Sequence, residues 1–340
     1  MLEILELMPK KRPFWDQYVC QSPHGLPLHL SGWQDVMVQT YGYETRYLTA
    51  VSQDRIVGVL PLFFVCIPLV GSVVRTMPGG LCADSDAAAQ ALLAAGQAWA
   101  QQKRAKRFWL ADSRICRPGD LQTTTAHVHW TLGVRGDEKT LWQQLDGNIR
   151  RQVRIAQRHG LTVELGRSGA LLPVFYNVFA RFAHQAGTPL FSRAFLENVV
   201  AVFPDGFHIV VVWQQKRPLA AYFQLEMAGT VYGMWGAALR EFLPLRPVYL
   251  AYWEIMRYAG QCGYHTLDMG RSPAGSNAAK FKGQWGGTAH PVYQQIAHFG
   301  GQANGEANGR FQWVTDLWPW LPFPLAQFLG PKLRRHMPFA

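Results

Sequence analysis

The sequence is poor in charged residues, and in acidic residues above all. Only 16% of its 340 residues are charged, and 33 lysines and arginines stand against 22 acids, which gives a net charge of +11 and a pI near 9.6. Because 49% of the residues are apolar, the composition excludes a disordered chain and predicts packed cores, in two domains at this length. The basic balance indicates an anionic partner: nucleic acid, a membrane surface or a phosphorylated substrate.

The sequence also lacks paired cysteines. Its five cysteines are scattered and form no C-x-x-C pair, which favours reduced thiols in the cytoplasm over a disulfide framework or a zinc site. Nothing near His127 and His129 in the sequence completes a set of metal ligands, so we expect no metal site. Glu3 and Glu6 stand where an export signal needs positive charge, which predicts a cytoplasmic protein.

A nucleotide-binding loop is missing too. The stretch DMGRSPAGSNAAKFKGQWGG (268–287) is rich in glycine and lysine, but it does not fit the phosphate loop G-x-x-x-x-G-K-[ST]. Counting from Gly275, Lys280 stands where the second glycine is required. No Ser-His-Asp or Cys-His arrangement is evident either, so we expect any group transfer to be direct, without a covalent enzyme intermediate.

One long uncharged run needs an explanation. Residues 56–74 contain no charge and have the minimum length of a membrane span. Two prolines, two glycines and a β-branched start are instead typical of a strand, a turn and a second strand. We therefore expect a buried hairpin with an apolar tip that touches a membrane at most.

The chain repeats one pattern at an offset of 162 residues. A hairpin, a helix and a strand follow one another at 47–59, 84–106 and 107–112, and again at 209–221, 247–261 and 265–270. This repetition predicts a duplicated α/β domain.

A basic ridge is predicted between the two copies. Arg150, Arg154 and Arg158 recur every four residues in NIRRQVRIAQRHGL (148–161), so on a helix they share one face. No acidic residue alternates with them, which leaves two interpretations open: an anion-binding ridge or a solvated helix face.

The C-terminal part changes in character. Residues 300–310 have the composition of a flexible linker, and aromatic and basic residues follow. This pattern is typical of an interfacial membrane anchor, while packing of the aromatic side chains on the body is the alternative. The residues concerned are Trp313, Trp318, Trp320, Phe323, Lys332, Arg334 and Arg335.

Three segments resemble the FemAB-like acyltransferases. They are DRIVGVLPL (54–62), AYWEIMRYAGQCGYHTLDMGRS (251–272) and the pattern GRS…GS…FK..WG (270–286). With the tail motif LPFPLAQFLGP (321–331), they are similar in particular to the FemAB-like proteins associated with exosortase and PEP-CTERM exopolysaccharide systems. The resemblance covers roughly residues 13–299.

The resemblance implies an α/β (α+β) fold of tandem GNAT-like domains, that is, domains like GCN5-related N-acetyltransferases, each a mixed sheet flanked by helices. We expect the first at 1–145, the second at 146–299, and a tail at 300–340. It also implies acyl transfer, which in peptidoglycan-building members moves an amino acid from aminoacyl-tRNA onto a precursor's amine. Neither the long charged helical hairpin that holds tRNA in some members nor the acetyl-CoA loop Q/R-x-x-G-x-G/A is present. The donor, aminoacyl-tRNA or acyl-CoA, stays open.

The resemblance assigns the chemistry to the lysine-bearing loop. Lys282 matches the FK..WG position, and its implied role is to neutralise negative charge that develops on the acyl carbonyl or the departing donor. If the loop is extended, Lys280 and Lys282 point to one side. Asp268 and Glu254 are candidate proton acceptors, with an ion pair to a neighbouring arginine as the alternative for each.

Substrate binding is expected around the same loop. Arg271 can hold a phosphate or carboxylate by two parallel hydrogen bonds. Trp285 can stack on a base or sugar or belong to the core, and Tyr232 and Tyr252 can orient a substrate or be structural. The other candidates are Gly270, Ser272, Gly275, Ser276, Lys280 and Phe281.

The sequence thus predicts an acyltransferase that acts on an amine of a cell-envelope or exopolysaccharide precursor. It predicts no tightly bound cofactor, no DNA partner, and a cytoplasmic location with peripheral contact to an anionic membrane. A catalytically idle binding or scaffold protein of an envelope polysaccharide assembly system is the alternative.

Overall fold

The computed structural model describes residues 2–67, 71–299 and 312–336. The strands are β1 (Leu2–Glu6), β2 (Glu44–Ser52), β3 (Arg55–Ile67), β4 (Gly71–Thr76), β5 (Cys82–Ala83), β6 (Arg107–Ser113), β7 (Gln122–Gly133), β8 (Leu161–Gly166), β9 (Phe207–Gln214), β10 (Arg217–Met227), β11 (Thr230–Ala238), β12 (Thr266–Pro273) and β13 (Thr288–His298). The helices are α1 (Arg12–Gln21), α2 (Trp33–Tyr41), α3 (Asp86–Gln102), α4 (Glu138–Gln144), α5 (Gly147–Arg158), α6 (Leu171–Gln185), α7 (Arg193–Val202), α8 (Pro247–Gln261), α9 (Asn277–Gly283), α10 (Gln312–Leu317) and α11 (Phe323–Arg334).

The chain divides into two compact units. The first comprises residues 1–126, 291–312 and 332–340, and the second comprises residues 127–290 and 313–331. These limits differ from the domain limits expected from the sequence. One cause is β13, whose residues from Tyr293 to His298 pair antiparallel with β6 and so belong to the first unit.

The first unit has a mixed sheet with the strand order β1-β2-β3-β4-β6-β13, and β5 pairs with β3. β4 and β6 are parallel, and the other neighbours are antiparallel. α3 covers the sheet, with Leu92 and Trp99 in one buried cluster with Leu60 and Phe108.

The second unit has the strand order β7-β12-β11-β10-β9-β8, in which only β11 and β12 are parallel. Successive side chains of a strand point to opposite faces, so this sheet has two apolar faces to cover. On one face Val210 and Val212 of β9 share a buried cluster with Leu250 of α8. On the other, Phe223 of β10 contacts Phe175 of α6, with ring centroids 5.7 Å apart.

The repeated order of hairpin, helix and strand is confirmed. It is formed by β2–β3, α3 and β6 in the first unit and by β9–β10, α8 and β12 in the second. α8 begins at Pro247 as predicted, because proline has no amide hydrogen to lose at a first helical position. α3 is shorter than predicted at both ends, and at its first turn Ser85 Oγ accepts a hydrogen bond from Ala88 N at 3.2 Å and caps the helix.

The uncharged run at residues 56–74 forms two strands, as expected. β3 and β4 pair antiparallel from Leu62↔Thr76 to Ile67↔Gly71, and residues 68–70 lie outside the described ones. In the part of the chain that the structure describes, no helix is long and apolar enough to cross a membrane.

The C-terminal segment packs on the second unit. Trp318 is 3% exposed and Ala326 5%. The ring nitrogen Nε2 of His184, on α6, lies 2.9 Å from the carbonyl oxygen of Leu321. Of the two alternatives for the aromatic residues, packing therefore holds for Trp318; the linker at 300–310 and the Trp313 side chain lie outside the described residues.

Candidate active site

The lysine-bearing stretch after β12 is a short helix, α9, and not an extended loop. Ser276 Oγ accepts a hydrogen bond from Ala279 N at 3.2 Å and caps its first turn. The expectation that Lys280 and Lys282 point to one side is therefore wrong, because residues two apart on a helix lie about 200° apart around its axis. Lys280 is exposed, whereas Lys282 is buried.

Lys282 turns back onto the strand that precedes its helix. Its Nζ donates to the carbonyl oxygens of Gly270 and Arg271, each at 3.0 Å, and the residue is 8% exposed. A lysine ammonium has three N–H donors. These two carbonyls accept two of the three N–H donors, so the third N–H is available to a bound ligand. Because both acceptors are main-chain atoms of β12, the strand itself fixes the position of the cation.

Burial also makes the Lys282 ammonium easier to deprotonate than that of an ordinary lysine. It lowers the pKa of Lys282 to about 8, although the negative charge of Asp268 acts in the opposite direction. The ammonium is therefore mostly charged at neutral pH and loses its charge at mildly alkaline pH. Asp268 is 2% exposed, and its carboxylate accepts a hydrogen bond from Gly270 N at 2.8 Å.

The two parallel strands at the site pair over a short length only. The ladder between β11 and β12 runs from Thr230↔Thr266 to Tyr232↔Asp268. Both strands continue beyond it, β11 to Ala238 and β12 along β7 with an irregular register after Asp268. Beyond Tyr232, β11 therefore no longer pairs with β12 in this ladder.

Glycines stand where the ladder ends. Gly270 has φ +73°, a left-handed conformation, and a Cβ at this position would lie 2.7 Å from the carbonyl oxygen of Gly233. The same Cβ would lie 4.0 Å from Lys282 Nζ. Any other residue at 270 would be strained and would push against the opposite strand, next to the ammonium.

Two of the predicted binding residues follow on β12. Arg271 has an exposed side chain, while its carbonyl holds Lys282. Ser272 is 3% exposed, and its Oγ has no hydrogen-bond partner within the described residues. A buried hydroxyl without a partner costs about 1–3 kcal/mol, so this oxygen favours a polar ligand group close by.

An aromatic cluster holds α9 against α8. Phe281 lies with its ring centroid 5.2 Å from Tyr249 and 5.4 Å from Tyr252, and Trp285 lies 5.6 Å from Tyr252. Trp285 is 4% exposed, which places it in the core, as one of its two interpretations expected. These rings set the position of α9 by packing, and α9 in turn aims Lys282 at β12.

Residues 144–283 match a family model described as acetyltransferase (GNAT) domain. The match includes the β11–β12 pair, the aromatic side chains of α8 and the lysine on α9. This segment is therefore similar to a GNAT domain. No curated protein sequence matches the chain.

Solved structures show the same fold over nearly the whole chain. A structure of FemX has a TM-score of 0.69 at 15% identity, covering 92% of this chain and all of its own. The C-terminal domain of a putative lysylphosphatidylglycerol synthetase from Agrobacterium fabrum has a TM-score of 0.56 at 11% identity, covering 91% and 96%. A tandem GNAT protein from the clavulanic acid biosynthesis pathway has a TM-score of 0.55 at 12% identity, covering 89% and 100%. The expected α/β fold of tandem GNAT-like domains is confirmed.

The other predicted residues of the GNAT domain take different places. Glu254, on α8, accepts from Arg257 Nε at 2.9 Å, which is the ion pair foreseen as its alternative role. Gly275 has φ +73° and lies in the turn before α9 with no neighbour within 4 Å of a Cβ. Tyr232 is half-buried at the last pair of the β11–β12 ladder.

The basic ridge of the GNAT domain is confirmed as helical, on α5. An open groove of about 590 Å³ lies beside it and is lined by Arg151, Arg154, Gln157 and Arg158. Arg150 is half-buried and does not line the groove. Arg151 lines it instead, together with Arg154 and Arg158. None of the three lining arginines forms an ion pair with a described residue.

Sequence reasoning missed a buried carboxylate in this GNAT domain. Glu226, with a side chain 4% exposed, accepts from Arg167 Nη2 at 2.5 Å, His208 Nδ1 at 2.6 Å, Tyr258 OH at 2.7 Å and Tyr264 OH at 2.8 Å. Burial raises its pKa, but the hydrogen bond from His208 and then those of the tyrosines outweigh burial and lower it to about 2. The one signal in the sequence is a lone acid near the end of an apolar strand.

Proposed function

We propose that this protein is an N-acyltransferase that moves an acyl or aminoacyl group directly onto an amine of a cell-envelope or exopolysaccharide precursor. The observation that carries the proposal is Lys282: a buried cation, fixed by two main-chain carbonyls, with one donor to spare. A binding or scaffold protein has no use for such a charge. An acyltransferase does, because its transition state develops negative charge on one oxygen.

The reaction assigns a distinct task to each group. The amine attacks the acyl carbonyl of an ester or thioester, and the spare N–H of Lys282 donates to the oxygen that becomes negative. Collapse of this tetrahedral species breaks the bond to the donor's oxygen or sulfur, and this leaving group takes up the proton that the amine has given to the enzyme's proton acceptor. A charge held ready in a site of low dielectric needs no rearrangement at the moment of reaction, and this lowers the barrier.

Asp268 is the proton acceptor that we propose for the attacking amine. It is buried and fixed by Gly270 N in the same turn of chain that holds Lys282. Glu254 is less suited, since its carboxylate is already paired with Arg257. Arg271 is an exposed residue of the same strand, and its guanidinium can hold a phosphate or carboxylate of either substrate.

The charge of the protein and its similarity to other proteins indicate which substrates to propose. The net charge of +11 and the groove of α5 suit a donor or acceptor that carries phosphates, such as aminoacyl-tRNA, acyl-CoA or a nucleotide-linked sugar. The name of one similar structure, a putative lysylphosphatidylglycerol synthetase, favours an aminoacyl group. The tail motif and the loop motifs favour an exopolysaccharide system, through their resemblance to the exosortase-associated proteins.

The test begins with mass spectrometry of small molecules that co-purify with the protein. Transfer is then measured with labelled aminoacyl-tRNA in one reaction and labelled acyl-CoA in another, with amine-bearing envelope precursors as acceptors. We expect label on an amine with one donor class, and far less with Lys282→Met than with the matched exposed control Lys280→Met. A ligand that is bound by all three proteins and never modified would favour the scaffold role instead.

A further inference from the structure

The C-terminal segment, residues 312–336, has an inner face that is buried against the protein. Trp318, Ala326 and Gly330 are buried against the second unit. Gly330 lies so close that a Cβ there would be 3.1 Å from backbone atoms of Leu190, and Phe323 meets the ring of His184 edge-on at 5.6 Å. This face holds the segment on the protein and needs no other partner.

The outer face of the same segment is apolar and exposed. Trp320 is 81% exposed, Phe328 60%, Leu317 58% and Leu325 42%. Leu325 and Phe328 lie three residues apart on α11 and so share one side of it. Single exposed apolar residues are common, but four large ones within twelve residues are typical of an interaction surface.

The charge around this outer face points to the kind of partner. Between residues 312 and 336, Asp316 is the one acid, whereas Lys332, Arg334 and Arg335 follow one another at the end of α11. Indole and phenyl rings beside lysine and arginine are the side chains that favour the headgroup region of a bilayer. A protein partner with an apolar groove gives no reason for this basic flank, and anionic phospholipid does.

We infer that the outer face, defined by Leu317, Trp320, Leu325 and Phe328, docks the protein on an anionic phospholipid surface. The inner face stays on the second unit, so the segment lies in the interface and does not leave the body. The inference thus gives each face its own role, packing for the inner face and membrane contact for the outer face. Deletion of the tail cannot test this, because it removes the inner face as well.

The experiment uses the full chain and two point variants. Flotation with vesicles of phosphatidylcholine, with and without phosphatidylglycerol, measures binding of the native protein, of Trp320→Ser/Phe328→Ser and of Leu243→Ser. Leu243 is 43% exposed on the second unit outside the tail and serves as the matched control. Since the substituted side chains are exposed, thermal melting should be unchanged in both variants.

We expect the native protein and Leu243→Ser to float with the anionic vesicles, and more weakly as salt rises from about 50 to 500 mM. The double variant should bind at least about tenfold more weakly, because two aromatic rings no longer enter the interface. Equal binding of the native protein and the double variant would overturn the inference. So would a native dimer in light scattering that the double variant abolishes, without vesicle binding, since the face would then join two copies.

Discussion

Lys282 Nζ lies 3.0 Å from the carbonyl oxygen of Gly270, twelve residues earlier in the chain. A second main-chain oxygen, of Arg271, lies at the same distance. The cation is thus held by backbone atoms and not by another side chain. The proposed chemistry consequently depends on the turn between β12 and α9, and above all on Gly270, whose left-handed backbone other residues rarely adopt.

Replacement of Lys282 by methionine should abolish most of the activity and keep the fold. Methionine retains much of the buried stem but not the charge, and loss of one fixed charge stabiliser typically costs about 10²–10³ in kcat. Lys280→Met removes an exposed charge of the same helix and should cost less than about tenfold. Turnover and thermal melting of the two variants provide the comparison; normal turnover of Lys282→Met would refute the assignment.

The pH profile should carry the signature of the same residue. Because the pKa of Lys282 is lowered to about 8, the ammonium is present below that pH and is lost above it. We expect kcat to fall on the alkaline side with an apparent pKa near this value. In Lys282→Arg, any remaining activity should lack this fall, since a guanidinium keeps its charge. Rates from pH 6 to 10 would reveal it, and an alkaline fall that survives in the arginine variant would assign it to another group.

The groove of α5 should bind phosphate-bearing ligands through its three lining arginines. Replacing Arg151, Arg154 and Arg158 together by glutamine removes the cations that would release counterions, so binding should weaken and its salt dependence should flatten. Arg150→Gln is the matched control, because Arg150 does not line the groove. Titration with tRNA and with CoA at low and moderate salt measures both effects. Identical curves for all proteins would show that the arginines bind no such ligand and only form a solvated helix face.

Glu226 should stabilise the second unit in a pH-dependent way. Its pKa is lowered from 4.5 to about 2 in the folded chain, so its contribution is complete above pH 4.5 and is lost as the pH falls toward 2. Glu226→Gln should lower the free energy of unfolding at neutral pH by about 2–3 kcal/mol. Denaturant melts at pH 7 and pH 3 should show the difference shrinking in acid; a constant difference would argue against the carboxylate's charge as its source.

Trp318 should behave as a core residue despite its place near the chain end. It is 3% exposed against α6, and truncation of a buried tryptophan to alanine typically costs about 3–5 kcal/mol. Trp320→Ala, two residues on and 81% exposed, should change the stability by less than about 0.5 kcal/mol. Thermal melts of both variants separate the two faces, and equal losses would show that the tail does not pack as described.

Local patterns in the sequence were sufficient for the repeated hairpin, helix and strand of the two units. Alternation and turn residues predict the hairpins, and Pro247 with its apolar stripe predicts α8 almost to the residue. The limits of the compact units were beyond this reasoning, because pairing of β13 with β6 joins residues about 180 apart. No local pattern encodes such a contact.

Candidate residues of the site could be named from the sequence, but their geometry could not be predicted. The motif singled out Lys282, but the alternating lysines suggested an extended loop and concealed the helix cap at Ser276, whose Oγ accepts a hydrogen bond from Ala279 N. Trp285 and Phe281 are polarisable rings that suit either a ligand or a core, and only their contacts with Tyr252 decide between these. Glu226 escaped attention because its four donors come from three separate stretches of chain.

The pairing of β13 with β6 has a consequence for synthesis on the ribosome. β6 is complete in sequence at Ser113, but the strand beside it is not made until His298 has emerged. Until then β6 offers an open strand edge, which invites pairing with other chains. The nascent protein must therefore protect that edge while more than half of its length is translated, and a fragment that stops before residue 290 would leave it open for good.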